Sequence, residues 1–254
     1  MKLDESALVE VVWLQENLEN PDLVILDGSM KKTVAGPNKN YDQVFIPGAL
    51  KFDFEQVICD LTSKLPHTMP SPEKFSEEVQ KLGIKNSDHI VVYDNKGIYS
   101  APRVWWMFKT MGHDRVSVLN GGLPSWQEAG FPVSEKPQSG LEKGDFLSNH
   151  RNEAIYSAED VLKAIDNDQI QMVDVRAAKR FQGADPEPRP GLRSGHIPSA
   201  INIPFKSVLD GNNLIETEEL KQRLEELIPD KNKRLVFNCG SGVTSCVVAL
   251  AAYI

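Results

Sequence analysis

The sequence predicts an α/β fold built twice in tandem, each copy a mostly parallel sheet flanked by helices. Three observations lead there. First, segments recur at a spacing near 150 residues. LVILDGSM (Leu23–Met30) resembles QMVDVRA (Gln171–Ala177), and VFIPGALKFDF resembles GHIPSAINIPF, pairing Ile46 with Ile197. HIVVYDNKGIYSAPRVWWMF likewise resembles RLVFNCGSGVTSCVVALAAY, placing Asn95 opposite Cys239. That period is too long for a solenoid and suits a duplicated domain of ordinary size. Second, the candidate strands are short, apolar and β-branched, the pattern of strands buried on both faces. Third, helical stretches alternate with them, which implies parallel pairing through crossovers.

Taken in order, Leu23–Leu26 and Ile90–Tyr93 read as buried strands of the first copy. Ser71–Gly83 (SPEKFSEEVQKLG) reads as a helix. Ser71 caps its start, Pro72 suits its first position and Gly83 stops it. Val116–Gly122 (VSVLNGG) is a strand running into a turn. The stretch from Ser134 to Asn152 is polar and rich in Gly, Pro and Ser, the composition of a connector. The expected division is 1–137, a linker over 138–152, and 153–254. In the second copy a strand ends at Val236–Phe237, and Val243–Ile254 is apolar nearly all round, as a buried helix is. The first copy continues past its helix into VSVLNGGLPSWQEAG, whereas the second reaches Ile254 inside the matching helix. The second copy is therefore expected to lack its last strand and helix and to leave a sheet edge unpaired.

Composition narrows the function. Of 254 residues, 41% are hydrophobic and the net charge is −8. An acidic chain is a poor partner for nucleic acid or an anionic membrane surface. The apolar run near the N-terminus is broken by Glu10, Gln15 and Glu16, unlike a secretory signal. No apolar run reaches membrane-spanning length. Three cysteines (Cys59, Cys239, Cys246) are too few for a disulfide framework and point to a reducing compartment, the cytoplasm.

The chemistry concentrates in FNCGSGVTSC, Phe237 to Cys246. Gly240 and Gly242 let the chain curl so that successive N–H groups point inward, an anion nest at a helix start. A thiol at its mouth has its anionic form stabilised. Cys239 is the candidate nucleophile. Its rivals are weaker. Zinc sites use CxxC-like pairs, and Cys239 and Cys246 are seven apart with no second pair. A thioredoxin CxxC is absent. A cysteine phosphatase has an arginine after five intervening residues, where this chain has Ser245. Cys246, one turn into the apolar helix, reads as core.

Strand–CGSGVT–helix, two IPGA-like segments and the duplicated α/β unit resemble the two-domain rhodanese superfamily. Within it, CGSGVT, YSAPRVWWMF (Tyr99–Phe108), GGLPSW (Gly121–Trp126) and EPRPGLRSGHIP (Glu187–Pro198) are similar to the mercaptopyruvate sulfurtransferase branch. Thiosulfate sulfurtransferases carry basic residues just after the cysteine, where this chain has Gly240 and Ser241. The resemblance implies two tandem rhodanese-like domains, the first catalytically silent. It implies attack of Cys239 on the sulfur of 3-mercaptopyruvate, release of pyruvate, and passage of the persulfide sulfur to a thiol, thioredoxin or cyanide, with no cofactor and no metal. Gly240, Ser241, Gly242, Val243 and Thr244 would stabilise the persulfide. Arg180 and Arg189 fall where the family places its substrate arginines. From Lys179 to Arg193 there are four basic residues against two acidic, a net +2 in an acidic chain, and guanidinium forks suit an α-keto carboxylate. Ser241, His67 and Glu55 match a proton-handling relay at a domain interface, with Asp53 the competitor for the third place. Arg193, Asp174 and His196 read as structural, His196 as a hydrogen-bonded core residue like Phe45 in the first copy. A thiosulfate sulfurtransferase and a non-catalytic rhodanese-like binding module are the alternative functions.

Overall fold

The computed structural model describes residues 6–33, 36–37, 43–228 and 230–254; the first five residues of the N-terminal segment fall outside this range. The chain divides into two compact units, Met1–Asn152 with Gly211–Asn213, and Glu153–Asp210 with Leu214–Ile254.

The first unit runs β1 (Leu8–Val9), α1 (Val11–Asn17), β2 (Leu23–Asp27), β3 (Lys32–Thr33), β4 (Gly36–Pro37), β5 (Leu50–Lys51), α2 (Pro72–Lys81), β6 (His89–Tyr93), α3 (Ala101–Thr110), β7 (Val116–Leu119) and α4 (Gly122–Glu128). Its main sheet has the order β1-β7-β6-β2-β5, parallel at every pairing. All five residues of β6 are buried, Ile90–Tyr93 as their apolar run requires and His89 with its Nε2 2.9 Å from Ser117 Oγ. One sheet face packs Leu14, Ile25, Val91, Tyr93 and Trp126. Phe52, Phe75 and Phe108 form a second aromatic cluster with ring separations of 5.1–6.2 Å. Helix α2 starts as its sequence dictates: Ser71 Oγ accepts the Lys74 N–H and Pro72 occupies the first position. Gly83 follows its end at φ 80°, a left-handed angle glycine adopts without strain.

Residues 138–152 are irregular, but they are fastened to the first unit. Gly144 and Phe146 donate backbone N–H groups to Gln80 and Ile84, and Asn149 and Arg151 donate to Met111 and Thr110. Phe146 is fully buried. Its ring sits 5.7 Å from those of Phe75 and Phe108 and 5.6 Å from His113. One aromatic residue in a polar stretch closes the α2–α3 groove.

The second unit runs α5 (Ala158–Ala164), β8 (Ile170–Asp174), α6 (Ala178–Phe181), β9 (Ile201–Asn202), β10 (Leu209–Asp210), β11 (Asn213–Leu214), α7 (Thr217–Leu227), β12 (Arg234–Asn238) and α8 (Ser245–Tyr253). Its main sheet is β12-β8-β9, again parallel. A capping box on Ser157 and Asp160 starts α5. Strands β8, β9 and β12 are the counterparts of β2, β5 and β6. Among the described residues β12 has one strand neighbour, whereas β6 has two.

Strand register corrects one expectation. Asp27 pairs with Tyr93, and Asp174 pairs with Asn238. The residue after each pair is Asp94 in the first unit and Cys239 in the second. Asp94, not Asn95, therefore stands where Cys239 stands, and Asn95 corresponds to Gly240. Placing Asn95 opposite Cys239 takes an offset of 144 residues between the copies, one short of the 145 that the strand register sets.

Candidate active site

Cys239 follows β12 directly, and the chain turns within six residues into α8. The turn needs Gly242 at φ 75°; Gly240 takes no such angle. The Gly242 N–H lies 3.2 Å from the Cys239 Sγ, and the Ser245 hydroxyl lies 3.7 Å away. Burial pushes the Cys239 thiol pKa up. Hydrogen bonds from the Thr244 hydroxyl and from the backbones of Ser241 and Ser245, with the Ser245 hydroxyl, more than offset this and leave it below the ordinary thiol value. Ser245 is a donor that the sequence reading passed over, taking it only as the residue that was not arginine. Val243 instead turns its side chain into the core. Cys246 is buried, with its Sγ 3.3 Å from the Gly242 carbonyl.

Beside this loop stand the two arginines. The Arg189 guanidinium donates to the Gly240 carbonyl. A Cβ added at Gly240 would lie 3.5 Å from Arg180 Nη2, so the guanidinium stands against the bare backbone of the loop. Arg180 is held from behind by Glu187, with Nε 3.2 Å and Nη2 2.5 Å from its two oxygens. Arg193 is exposed and has no partner among the described residues. Asp174 is fully buried and holds Arg176, consistent with a structural part. His196 is not a core residue. It is exposed, stacks on Phe181 at 3.8 Å and meets the Phe181 carbonyl at 2.8 Å. Its counterpart Phe45 is buried under a backbone bridge to Ser134, a cover that His196 does not have among the described residues.

In the first unit, His67 Nε2 lies 3.8 Å from Glu55 Oε1, and Glu55 Oε2 accepts the Lys31 N–H at 2.7 Å. Asp53 instead caps its own turn, accepting the N–H groups of Glu55 and Gln56. His67 has φ 57°, left-handed and uncommon for a residue with a Cβ. Its carbonyl accepts Arg103 Nη2 at 2.8 Å, which fixes that backbone from α3. Its Nδ1 is buried and has no partner among the described residues. Cys59 is buried nearby, 3.4 Å from the Glu55 carbonyl, and burial raises its pKa. No cluster of three or more His, Cys, Asp or Glu residues fit to hold a metal occurs among the described residues.

The structure thus gathers Cys239, Ser241, Thr244, Arg180 and Arg189 within the second unit, and Glu55 with His67 within the first. The first unit contains the same loop with a different occupant. Asp94 is fully buried. Its Oδ1 accepts the Lys96 N–H at 2.8 Å, and its Oδ2 accepts those of Tyr99, Ser100 and Ala101 at 2.8–2.9 Å.

A duplicated parallel α/β unit with a thiol at the mouth of a backbone anion nest defines a class, and the comparisons agree. The rhodanese-like domain family model matches residues 10–129 and 157–253, and the chain belongs to that family. It is 40% identical over 257 residues to the 3-mercaptopyruvate sulfurtransferase of Rattus norvegicus, covering 98% of this chain and 86% of that one. It is 39% identical over 272 residues to thiosulfate/3-mercaptopyruvate sulfurtransferase 1, mitochondrial, of Arabidopsis thaliana, with 98% and 71% covered. The crystal structure of SseA from Escherichia coli, a 3-mercaptopyruvate sulfotransferase with the rhodanese fold, superposes with a TM-score of 0.85 at 36% identity, covering 98% and 94% of the two chains.

Proposed function

We propose that the protein is a sulfurtransferase that takes sulfur from 3-mercaptopyruvate onto Cys239 and passes it to a thiol such as thioredoxin, or to cyanide. The observation that carries this reading is the Cys239 thiol at the strand–loop–helix turn, its Sγ 3.2 Å from the Gly242 N–H. The thiolate attacks the donor sulfur and an S–S bond forms. The C–S bond breaks, its electron pair passes to carbon as the enolate of pyruvate, and the proton from the donor thiol ends on that carbon. A persulfide anion remains on Cys239, within reach of the nest. An acceptor thiolate then attacks the outer sulfur and restores the Cys239 thiolate, so atoms and charge balance over the cycle.

Arg180 and Arg189 are the proposed grip on the donor carboxylate, since guanidinium forks match carboxylate geometry. Proton handling is assigned to Ser241 in the loop and to the His67–Glu55 pair. A left-handed backbone and a buried, unpartnered ring nitrogen mark His67 as held for a task rather than for packing. Glu55 rather than Asp53 is its proposed partner, because Asp53 is engaged with its own turn. His67→Ala should lower kcat by about 10²–10⁴; an unchanged kcat removes it from the relay.

The second reading is a thiosulfate donor, which the name of the plant relative also includes. Against it, the two residues after Cys239 are Gly240 and Ser241, so the loop itself has no cation for a dianion. The domain division at 152/153 is taken as the functional boundary. All three cysteines are unpaired, which fits the reducing cytoplasm. No helix among the described residues is long and apolar enough to cross a membrane.

The test is intact-mass spectrometry after incubation with each donor, with pyruvate measured in parallel. One added sulfur atom and stoichiometric pyruvate from 3-mercaptopyruvate, both absent in Cys239→Ser, are expected. Loading by thiosulfate alone establishes the second reading, and an adduct that persists in Cys239→Ser moves the nucleophile.

A further inference from the structure

Arg180 does not reach the Cys239 loop unaided. Arg176 is bound at the end of β8 by the fully buried Asp174, with Nε 3.0 Å from each carboxylate oxygen and Nη2 2.6 Å from Oδ2. Arg176 Nη2 also donates to the Gly195 carbonyl at 2.7 Å, and Nη1 donates to Glu187 Oε1 at 2.7 Å. Glu187 in turn takes Arg180 through both its oxygens. The Glu187 side chain is 5% exposed and that of Arg180 17%. A chain of fixed contacts therefore runs from the sheet, through Asp174, Arg176 and Glu187, to a guanidinium that stands against Gly240.

Charge follows the same path. Asp174 and Glu187 balance Arg176 and Arg180. Arg189 has no carboxylate partner among the described residues and bonds the Gly240 carbonyl instead. Next to the nucleophile the cluster carries one uncompensated positive charge, from Arg189. Arg180 adds directed N–H donors: Nη1 has no partner among the described residues, and a guanidinium has five N–H groups in a fixed fork.

We propose that Glu187 is the positioning residue of the donor-carboxylate pocket: it aims Arg180 at Gly240 and cancels its charge, so that the pocket suits a monoanion rather than a dianion. This rests on the sulfurtransferase reading above and adds a source of donor choice that Gly240 and Ser241 do not contain. Glu187 touches no reacting atom. It acts through Arg180, and its carboxyl stays ionised under assay conditions because Arg180, then Arg176, hold its pKa below the ordinary carboxylate value.

The experiment is steady-state kinetics of the full chain with both donors, on wild type, Glu187→Gln and Glu187→Asp, with Tm measured alongside. Glu187→Gln replaces one acceptor oxygen by a donor and adds one net positive charge. It should raise KM for 3-mercaptopyruvate about tenfold with kcat changed less than about twofold, the pattern of lost uniform binding. Its kcat/KM for thiosulfate should hold or rise, so the donor ratio moves about tenfold or more towards the dianion. Glu187→Asp keeps the charge and both oxygens and should retain the wild-type donor preference with a smaller rise in KM. If the glutamine variant does not fold, the aspartate variant decides by whether KM moves without kcat. An unchanged KM, or equal loss with both donors alongside a lower Tm, makes Glu187 a brace of the fold and overturns the proposal. Failure of wild type to release pyruvate from 3-mercaptopyruvate defeats the sulfurtransferase reading. An active wild type that is impaired by Arg180→Ala but not by Glu187→Gln defeats this inference alone.

Discussion

Residues 94–101 and 239–246 are one loop built twice with different residues at its mouth. In the first unit the mouth is a carboxylate, in the second a thiol. Both loops hold a left-handed glycine three residues on, Gly97 at φ 97° and Gly242 at φ 75°. Donors stand at matching places: Lys96 and Ser241 two residues on, Ser100 and Ser245 six residues on. The outcomes differ in sign. Burial raises the Asp94 pKa despite N–H donors from Ala101, Tyr99, Lys96 and Ser100. Burial opposes the Cys239 thiolate as well, yet there the Thr244 hydroxyl, the Ser241 and Ser245 backbones and the Ser245 hydroxyl outweigh it and the pKa falls. The backbone provides a general seat for an anion, and the balance between burial and donors, hydroxyls included, decides whether the anion is easy to form. In the proposed function the first unit loads no sulfur, since Asp94 offers a carboxylate where Cys239 offers a thiol.

The equivalence can be broken directly. Cys239→Asp should abolish sulfur loading completely while the chain still folds, because a carboxylate at this position is what the first unit already accommodates. Mass spectrometry with donor and a thermal melt report the two halves of that statement, and a variant that fails to fold shows that the loops are not interchangeable. The reverse deletion should be felt as stability. Asp94→Ala leaves four N–H groups without their acceptor, and a buried donor left unsatisfied costs about 1–3 kcal/mol. Urea denaturation followed by first-unit tryptophan fluorescence measures this, and a loss well under 1 kcal/mol would mean that the carboxylate merely occupies the loop.

The smallest effect sharpens the comparison. Thiolate is the reactive form, so alkylation of Cys239 should accelerate as pH rises through its depressed pKa. The midpoint of that rise should lie below the midpoint for a free thiol, about 8.5. Thr244→Val removes one donor and should move the midpoint upward. A midpoint that stays put assigns the depression to the backbone and the Ser245 hydroxyl.

Much of this was legible in the sequence because it depends on local rules. Strands β2, β6 and β12 announce themselves as short β-branched runs, and α2 by Ser71, Pro72 and Gly83. The cysteine loop was legible for the same reason, since two glycines between a strand and an apolar helix leave few alternatives. What escaped depends on contacts distant in sequence. The register that places Asp94 opposite Cys239 is set by pairing with β2 and β8. The holders of the candidate side chains, Arg103 behind His67 and Glu187 behind Arg180, read as ordinary charged residues until the chain brings them together. Position along a repeat also misled: His196 shares its motif place with a buried phenylalanine yet lies exposed, because burial depends on what covers a residue.

The segment carrying Phe146 sets a timetable for synthesis. The family-model match ends at residue 129 and the polar composition begins near Ser134, yet the aromatic cluster between α2 and α3 is complete only with Phe146, and its flanking ladder only with Arg151. A ribosome that has delivered every strand and helix of the first unit has delivered a chain that still lacks the wedge closing its core. An absent buried aromatic typically costs about 3–5 kcal/mol, a large part of the stability of one domain. During translation from the N-terminus, the first unit thus reaches full stability only as the second begins to emerge.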